Sequence, residues 1–179
     1  MLKVDDTALV VIDVQGKLAK IMHQSQEMLE SLAKIIQGAK LLDIPILWLE
    51  QYPKGLGPTN DMIKDVLTSD EPVDKMTFSA CQTEAFQKQL HNINKKSLLI
   101  TGIEAHICVY QTVSELLDAG HHIEIVTDCV SSRTLANKQV GIDKMASLGA
   151  SITSVEMALF ELIRTAEHPK FKEISKLIK

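Results

Sequence analysis

Short apolar runs alternate along the chain with longer stretches in which apolar residues recur every three or four positions. Residues 8–12 (ALVVI), 45–49 (PILWL), 98–101 (LLIT), 123–127 (IEIVT) and 151–155 (SITSV) read as strands. The first three are nearly continuously apolar, as strands covered on both faces are. The last two are more mixed. Between them, residues 26–42 place Met28, Leu32, Ile35, Ile36 and Leu42 at helical spacing, and residues 83–93 do the same with Phe86, Leu90 and Ile93. Residues 109–117 carry Val109, Val113, Leu116 and Leu117 before Gly120, and 135–148 stop at Gly149, both glycines being good helix terminators. A tail helix near 173–178 follows Pro169. Strands separated by single helices predict βαβ units and a mostly parallel sheet. The expected fold is an α/β three-layer α/β/α sandwich, Rossmann-like in outline.

One stretch breaks the rhythm. Residues 51–78 hold Pro53, Gly55, Gly57, Pro58 and Pro72 around one short helical piece. Long irregular connections in compact domains are often functional. No internal repeat or linker is visible, and the 179 residues read as one domain, 1–179.

Apolar residues make up 45% and charged residues 23%, which excludes disorder and low complexity. The net charge of −4 and the 4% aromatic content argue against a nucleic-acid partner. No apolar run reaches the roughly 20 residues that span a bilayer, so no membrane partner is expected. The opening MLKVDDTALVVIDVQ lacks the features of a secretory signal, and three cysteines without a C-x-x-C pair suit a reducing compartment. A cytoplasmic location is expected.

In open parallel sheets, ligands bind beyond the carboxyl ends of the strands. The polar residues just past the predicted strands are therefore the candidates. Asp13 and Gln15 follow the first, and Glu50, Gln51 and Tyr52 the second. Glu104, His106 and Cys108 follow the third, and Asp128, Cys129, Ser131, Ser132 and Arg133 the fourth. Lys75 and Phe78 arrive from the irregular connection. Cys108 precedes the helical stretch VYQTVSELL, where the helix dipole favours the thiolate. It is equally readable as a small core hydrophobe, Asp13 as a helix cap, and Lys75 as a surface charge. The six histidines form no metal motif, and G-x-G-x-x-G, Walker A and G-x-S-x-G are absent.

VVIDVQ, DKMTFSA and TGIEAHICVYQT, in that order, resemble the isochorismatase-like cysteine hydrolases. EQYPKGLGPT, DCVSSR and HPKFKEISKLIK resemble most the isochorismatase domain-containing proteins within that superfamily. The resemblance implies a triad of Asp13, Lys75 and Cys108. Cys108 would attack a carbonyl carbon and form a thioester. Asp13 would take the thiol proton and return it to the leaving group. Lys75 would hold Asp13 and stabilise the thiolate. The resemblance also implies a cis peptide at Ile103–Glu104 and an oxyanion hole from the backbone N–H groups of Glu104 and Cys108.

Two departures narrow the expected activity. The metal-dependent nicotinamidases carry Asp-x-His after the second strand, where this chain has Glu50, Gln51 and Tyr52; no metal and no cofactor are expected. Isochorismatases generally lack the nucleophilic cysteine, so its presence favours hydrolysis of a small amide or carbamoyl C–N bond. Tyr52 and Phe78 are candidate pocket walls, and Gln15 would orient Asp13 or touch substrate. Arg133 would meet a substrate carboxylate or form a salt bridge at a subunit contact. Cys81 and Cys129 are left as structural. The expected partners are a small-molecule substrate and further copies of the chain, with 167–179 as a candidate subunit contact. Two other classes stay open: a catalytically silent binding protein of the same fold, and a redox-sensing thiol protein.

Overall fold

The computed structural model describes residues 1–67 and 71–179. The strands are β1 (Thr7–Ile12), β2 (Ile46–Gln51), β3 (Val73–Lys75), β4 (Ser97–Ile103), β5 (His122–Ser131) and β6 (Ser151–Thr153). The helices are α1 (Gly16–Lys20), α2 (Ser25–Leu41), α3 (Pro53–Leu56), α4 (Asp61–Val66), α5 (Glu84–Ile93), α6 (Tyr110–Asp118), α7 (Leu135–Ser147), α8 (Val155–Ile163) and α9 (Phe171–Ile178). The six strands form one sheet in the order β3-β2-β1-β4-β5-β6. Every pairing in it is parallel.

Alternation along the strands explains the three layers. In β1, Leu9 and Val11 join the core under α2, α4, α8 and α9. Ala8, Val10 and Ile12 join the core under α5, α6 and α7. All six β1 residues are buried, which is why the strand shows no polar alternation. The strand order reverses direction between β1 and β4, the switch point beyond which open parallel sheets bind ligands.

Three elements differ from the sequence reading. β3 lies inside the irregular 51–78 connection, of which residues 68–70 fall outside the described residues. It has only three residues and alternates buried, exposed, buried, too short for a visible apolar run. β5 is ten residues long and contains Asp128 and Cys129 rather than ending before them. Its pairing with β4 shifts register, with Ile100 opposite Ile125 but Gly102 opposite Val130. Residues 155–163 form α8, where a strand had been read up to 155. Ser154 caps that helix through Met157 N, and Val155, Ala158, Leu159, Leu162 and Ile163 are buried at helical spacing.

The tail packs on its own chain. Ile174 of α9 is fully buried, and the Phe160 and Phe171 rings meet edge-on with centroids 6.4 Å apart. Among the described residues, no helix is long and apolar enough to cross a membrane.

Gly102 sets the closeness of β1 and β4 at the end of β1. Its φ is +117°, and a Cβ there would lie 2.0 Å from the carbonyl oxygen of Ile12. Neither the conformation nor the space admits a side chain. Gly102→Ala is therefore expected to cost about 3 kcal/mol of stability. Thermal unfolding should register this as a fall of roughly 6–12 °C in midpoint.

Candidate active site

Three strand ends deliver the three side chains. Asp13 is the first residue after β1, in a left-handed conformation with φ 56°. Its N–H donates to the Leu49 carbonyl of β2 at 3.1 Å, fixing the turn against the sheet. Lys75 is the last residue of β3. Cys108 lies in a single π-helical turn, Ala105–Val109, that joins β4 to α6. The sequence reading placed Cys108 just ahead of the helix; the structure instead seats it in this widened turn.

Lys75 and Asp13 form a buried ion pair, Nζ to Oδ2 2.7 Å, with side chains 0% and 2% exposed. The Lys75 ammonium is also 2.6 Å from Gln51 Oε1, 3.2 Å from the Thr77 carbonyl and 3.1 Å from the Phe78 carbonyl. Such a set is what a buried cation requires. The second Asp13 oxygen, Oδ1, is buried and accepts no hydrogen bond from any described residue. Cys108 Sγ is 4.0 Å from Gln51 Oε1.

The electrostatics reverse one expectation. Burial, and then the neighbouring Asp13 carboxylate, push the Cys108 thiol up to about 12, with Lys75 opposing. Burial also raises the Asp13 carboxyl above the usual carboxylate range, with the charge and hydrogen bond of Lys75 opposing. Cys108 thus rests as a neutral thiol beside a carboxyl group, not as a thiolate stabilised by the helix dipole. Desolvation outweighs the dipole because the sulfur is buried in the core under α6.

Gln51, one of the polar residues expected past the second strand but given no role there, belongs to this cluster. It ends β2 in register with Lys75. Its Nε2 donates to the Met76 carbonyl at 2.9 Å, leaving Oε1 turned toward Lys75 and Cys108. Its place beyond a parallel strand was visible in the sequence; its partners were not, since β3 was not recognised. Gln15 is tied into the main chain of the connection. It is fully buried, its Nε2 donates to the carbonyls of Gln51 and Gly57, and its Oε1 accepts from Gln51 N.

The 51–78 connection folds back over the strand ends. Glu50 Oε1 accepts from both Thr59 N (2.6 Å) and Thr59 Oγ1 (2.7 Å). Trp48 Nε1 donates to the same hydroxyl at 2.8 Å. Tyr52 and Phe78 are tied to the site through their main chains, by Tyr52 N to the Lys75 carbonyl and the Phe78 carbonyl to Lys75. Their side chains are substantially exposed, and the Tyr52 ring lies against Gly55.

The peptide between Ile103 and Glu104 is cis. The Glu104 carbonyl accepts from Ile107 N and Val109 N, leaving the intervening Cys108 amide out of that pattern. Glu104 Oε2 accepts from Arg133 Nε at 3.1 Å and Arg133 N at 3.3 Å. The carboxylate that Arg133 meets is therefore in its own chain. His106 Nδ1 is 2.9 Å from Ser132 Oγ. Cys129 is buried on the opposite face of the sheet from Cys108, and Cys81 Sγ contacts the Thr112 carbonyl at 3.8 Å. No group of three or more His, Cys, Asp or Glu converges as a metal site among the described residues.

Residues 7–157 match the family model of the isochorismatase domain. The chain belongs to the isochorismatase domain family. Members of that family are typically hydrolases. This isochorismatase-domain chain is 38% identical over 177 residues to a secreted isochorismatase effector of Phytophthora sojae, covering 97% of this chain and 84% of the other. It is 35% identical over 176 residues to the mouse isochorismatase domain-containing protein 2A, covering 98% and 84%. A solved structure described as a MAR1 ribonuclease from Caenorhabditis elegans superposes with a TM-score of 0.93 at 36% identity, covering 99% and 91%.

The resting electrostatics of this isochorismatase-domain chain predict a slow Cys108. With iodoacetamide near neutral pH and site-resolved mass spectrometry, Cys108 should react no faster than free cysteine. Cys81 is also pushed up, to about 11, and Cys129 is fully buried, so no fast thiol is expected. A Cys108 alkylated well below the free-thiol range of about 8.5 would mean a preformed thiolate instead.

Proposed function

We propose that the protein is a cysteine hydrolase cleaving a small amide or carbamoyl C–N bond through a thioester on Cys108. The observation that carries this reading is the buried Lys75–Asp13 pair beside the Cys108 thiol, with one Asp13 oxygen unpartnered. A lone buried thiol needs no such neighbours, and a buried ion pair has no stabilising advantage over apolar packing.

The steps follow from the protonation states. Cys108 Sγ attacks the carbonyl carbon while its proton passes to Asp13 Oδ1, so the thiolate need not accumulate. The carbonyl electrons move to oxygen, and the N–H groups of Glu104 and Cys108 are the proposed donors to that oxyanion. Asp13 returns the proton to the leaving nitrogen, the C–N bond breaks, and the acyl group stays on sulfur as a thioester. A water then gives its proton to Asp13 and attacks the thioester. Collapse of the second intermediate releases the acid, and the proton on Asp13 restores the thiol. Lys75 keeps Asp13 oriented and limits the charge change as the carboxylate is protonated and released.

Phosphodiester cleavage, as the name of the worm structure suggests, finds less support in this site. Lys75 is already surrounded by four oxygens, which leaves it no open face for a phosphate. The substrate is a small molecule in this reading, and the rings of Tyr52 and Phe78 flank its approach.

The test is a screen of primary amides, ureas and N-carbamoyl compounds, with acid-quenched mass spectrometry of the protein. A hit should leave an acyl mass on Cys108. Asp13→Asn should lower turnover about 10²–10⁴-fold, and Cys108→Ala should abolish the adduct. Full turnover by Cys108→Ala would end the thioester reading. Specific, saturable binding without an adduct across the whole screen would favour the silent binding protein.

A further inference from the structure

We propose that Gln51 is a positioning residue of this site, the neutral link that holds the Lys75 ammonium on Asp13 while facing the Cys108 sulfur. The proposal rests on the Asp13–Lys75–Cys108 reading above.

The geometry places Gln51 at the centre of the arrangement. β2 lies between β3, which carries Lys75, and β1, which leads to Asp13. The Lys75 side chain must therefore cross the end of β2, where Gln51 sits. Lys75 faces four oxygens within 3.2 Å but has three protons to donate, so one bond is shared. Gln51 Oε1, at 2.6 Å, and Asp13 Oδ2, at 2.7 Å, are the two closest. The same Gln51 oxygen is 4.0 Å from Cys108 Sγ.

Gln51 is clamped at both ends. Its carboxamide nitrogen donates to the Met76 carbonyl, so its oxygen is directed into the site. Its main-chain N–H and C=O are both engaged by the buried Gln15 carboxamide, at 2.6 and 3.0 Å. A side chain that merely filled space would not need this orientation.

Neutrality is the chemically distinctive feature. A carboxylate at this position would compete with Asp13 for Lys75 and would add negative charge beside the sulfur. The charged groups already facing the centre are Asp13 beyond β1 and Lys75 from β3, with Glu50 of β2 acting on Asp13. A glutamine supplies the acceptor that orients Lys75 without disturbing that balance.

The test compares the Cys108 alkylation rate across mildly alkaline pH in the wild type, Gln51→Glu, Gln51→Met and Lys75→Met. Folding of each is checked by thermal unfolding. Gln51→Glu is expected to slow Cys108 alkylation about tenfold, equivalent to about one unit in thiol pKa. General loosening of the site would instead expose the sulfur and speed the reaction. An unchanged or faster rate in folded Gln51→Glu overturns the proposal. Should that variant not fold, Gln51→Met decides. A rate at least threefold different from wild type, with Cys81 unaltered, supports the link, and an unchanged rate overturns it. The Lys75→Met variant separates the two levels. If it slows Cys108 but the Gln51 variants do not, the link fails and the triad stands. If Lys75→Met also leaves Cys108 unaltered, the triad reading itself fails.

Discussion

The ion pair between Lys75 and Asp13 is the constraint around which the rest of the site is arranged. Both side chains are almost completely buried. Removing two charges from water costs several kcal/mol each unless the partner and further hydrogen bonds compensate. The chain meets that requirement with backbone. The carbonyls of Thr77 and Phe78 turn inward after β3 to receive the ammonium, and the Gln51 carboxamide closes the remaining side. A three-residue strand is enough to deliver Lys75 because its register with β2 sets Lys75 opposite Gln51. The long connection from β2 to β3 follows from the same need. It must leave the sheet, cover the strand ends and return to place a lysine on the far side of β2.

The neutral state of the resting thiol follows from burial beside that pair. Burial penalises the charged form of the thiol most, and the neighbouring Asp13 carboxylate repels a second negative charge. Lys75 offsets the effect only in part, because its charge is already shared among four oxygens. In the proposed mechanism this costs little. The thiol proton has a destination in the unpartnered Asp13 oxygen, so deprotonation and attack belong to one event. Sulfur then becomes nucleophilic only when a carbonyl carbon is there to accept it. A free thiolate in the same place would be exposed to oxidants and alkylating agents between turnovers.

Much of the fold was legible because long buried elements announce themselves. β1 is apolar at nearly every position, since both of its faces are covered. The five buried apolar residues of α8 were equally periodic, but a strand read through Val155 concealed the cap at Ser154. β3 was illegible for a different reason. With an exposed Asp74 between Val73 and Lys75, it has no apolar run, and only pairing with β2 makes it a strand. The site followed the same division. Asp13 and Cys108 stand beside strands that could be seen, and Lys75 entered only through the motif DKMTFSA. Gln51 was among the polar residues beyond the second strand, yet nothing local marks a glutamine whose partners lie 24 and 57 positions away. Burial likewise acts on Cys108, raising the thiol where a helix-dipole argument from sequence favours the thiolate.

Chemistry and access are assigned to different parts of the molecule. Asp13, Lys75 and Cys108 are buried at strand ends, and main-chain bonds tie Asp13 to Leu49 and Lys75 to Tyr52. Gly141 of α7 lies so close to the Ala105–Val109 turn that a Cβ would be 2.7 Å from the Ala105 carbonyl group. That contact presses the turn from behind, while the Glu104–Arg133 pair ties its start to the residues beyond β5. Such supports leave little freedom for the reacting groups. The opposite holds for the connection after β2, where Tyr52, Met76 and Phe78 are exposed and only their backbones are committed. Substitution of those side chains leaves the ammonium's carbonyl ligands in place, because those ligands are backbone atoms. On the proposed mechanism, a scaffold built this way changes what it admits without altering the buried Asp13, Lys75 and Cys108.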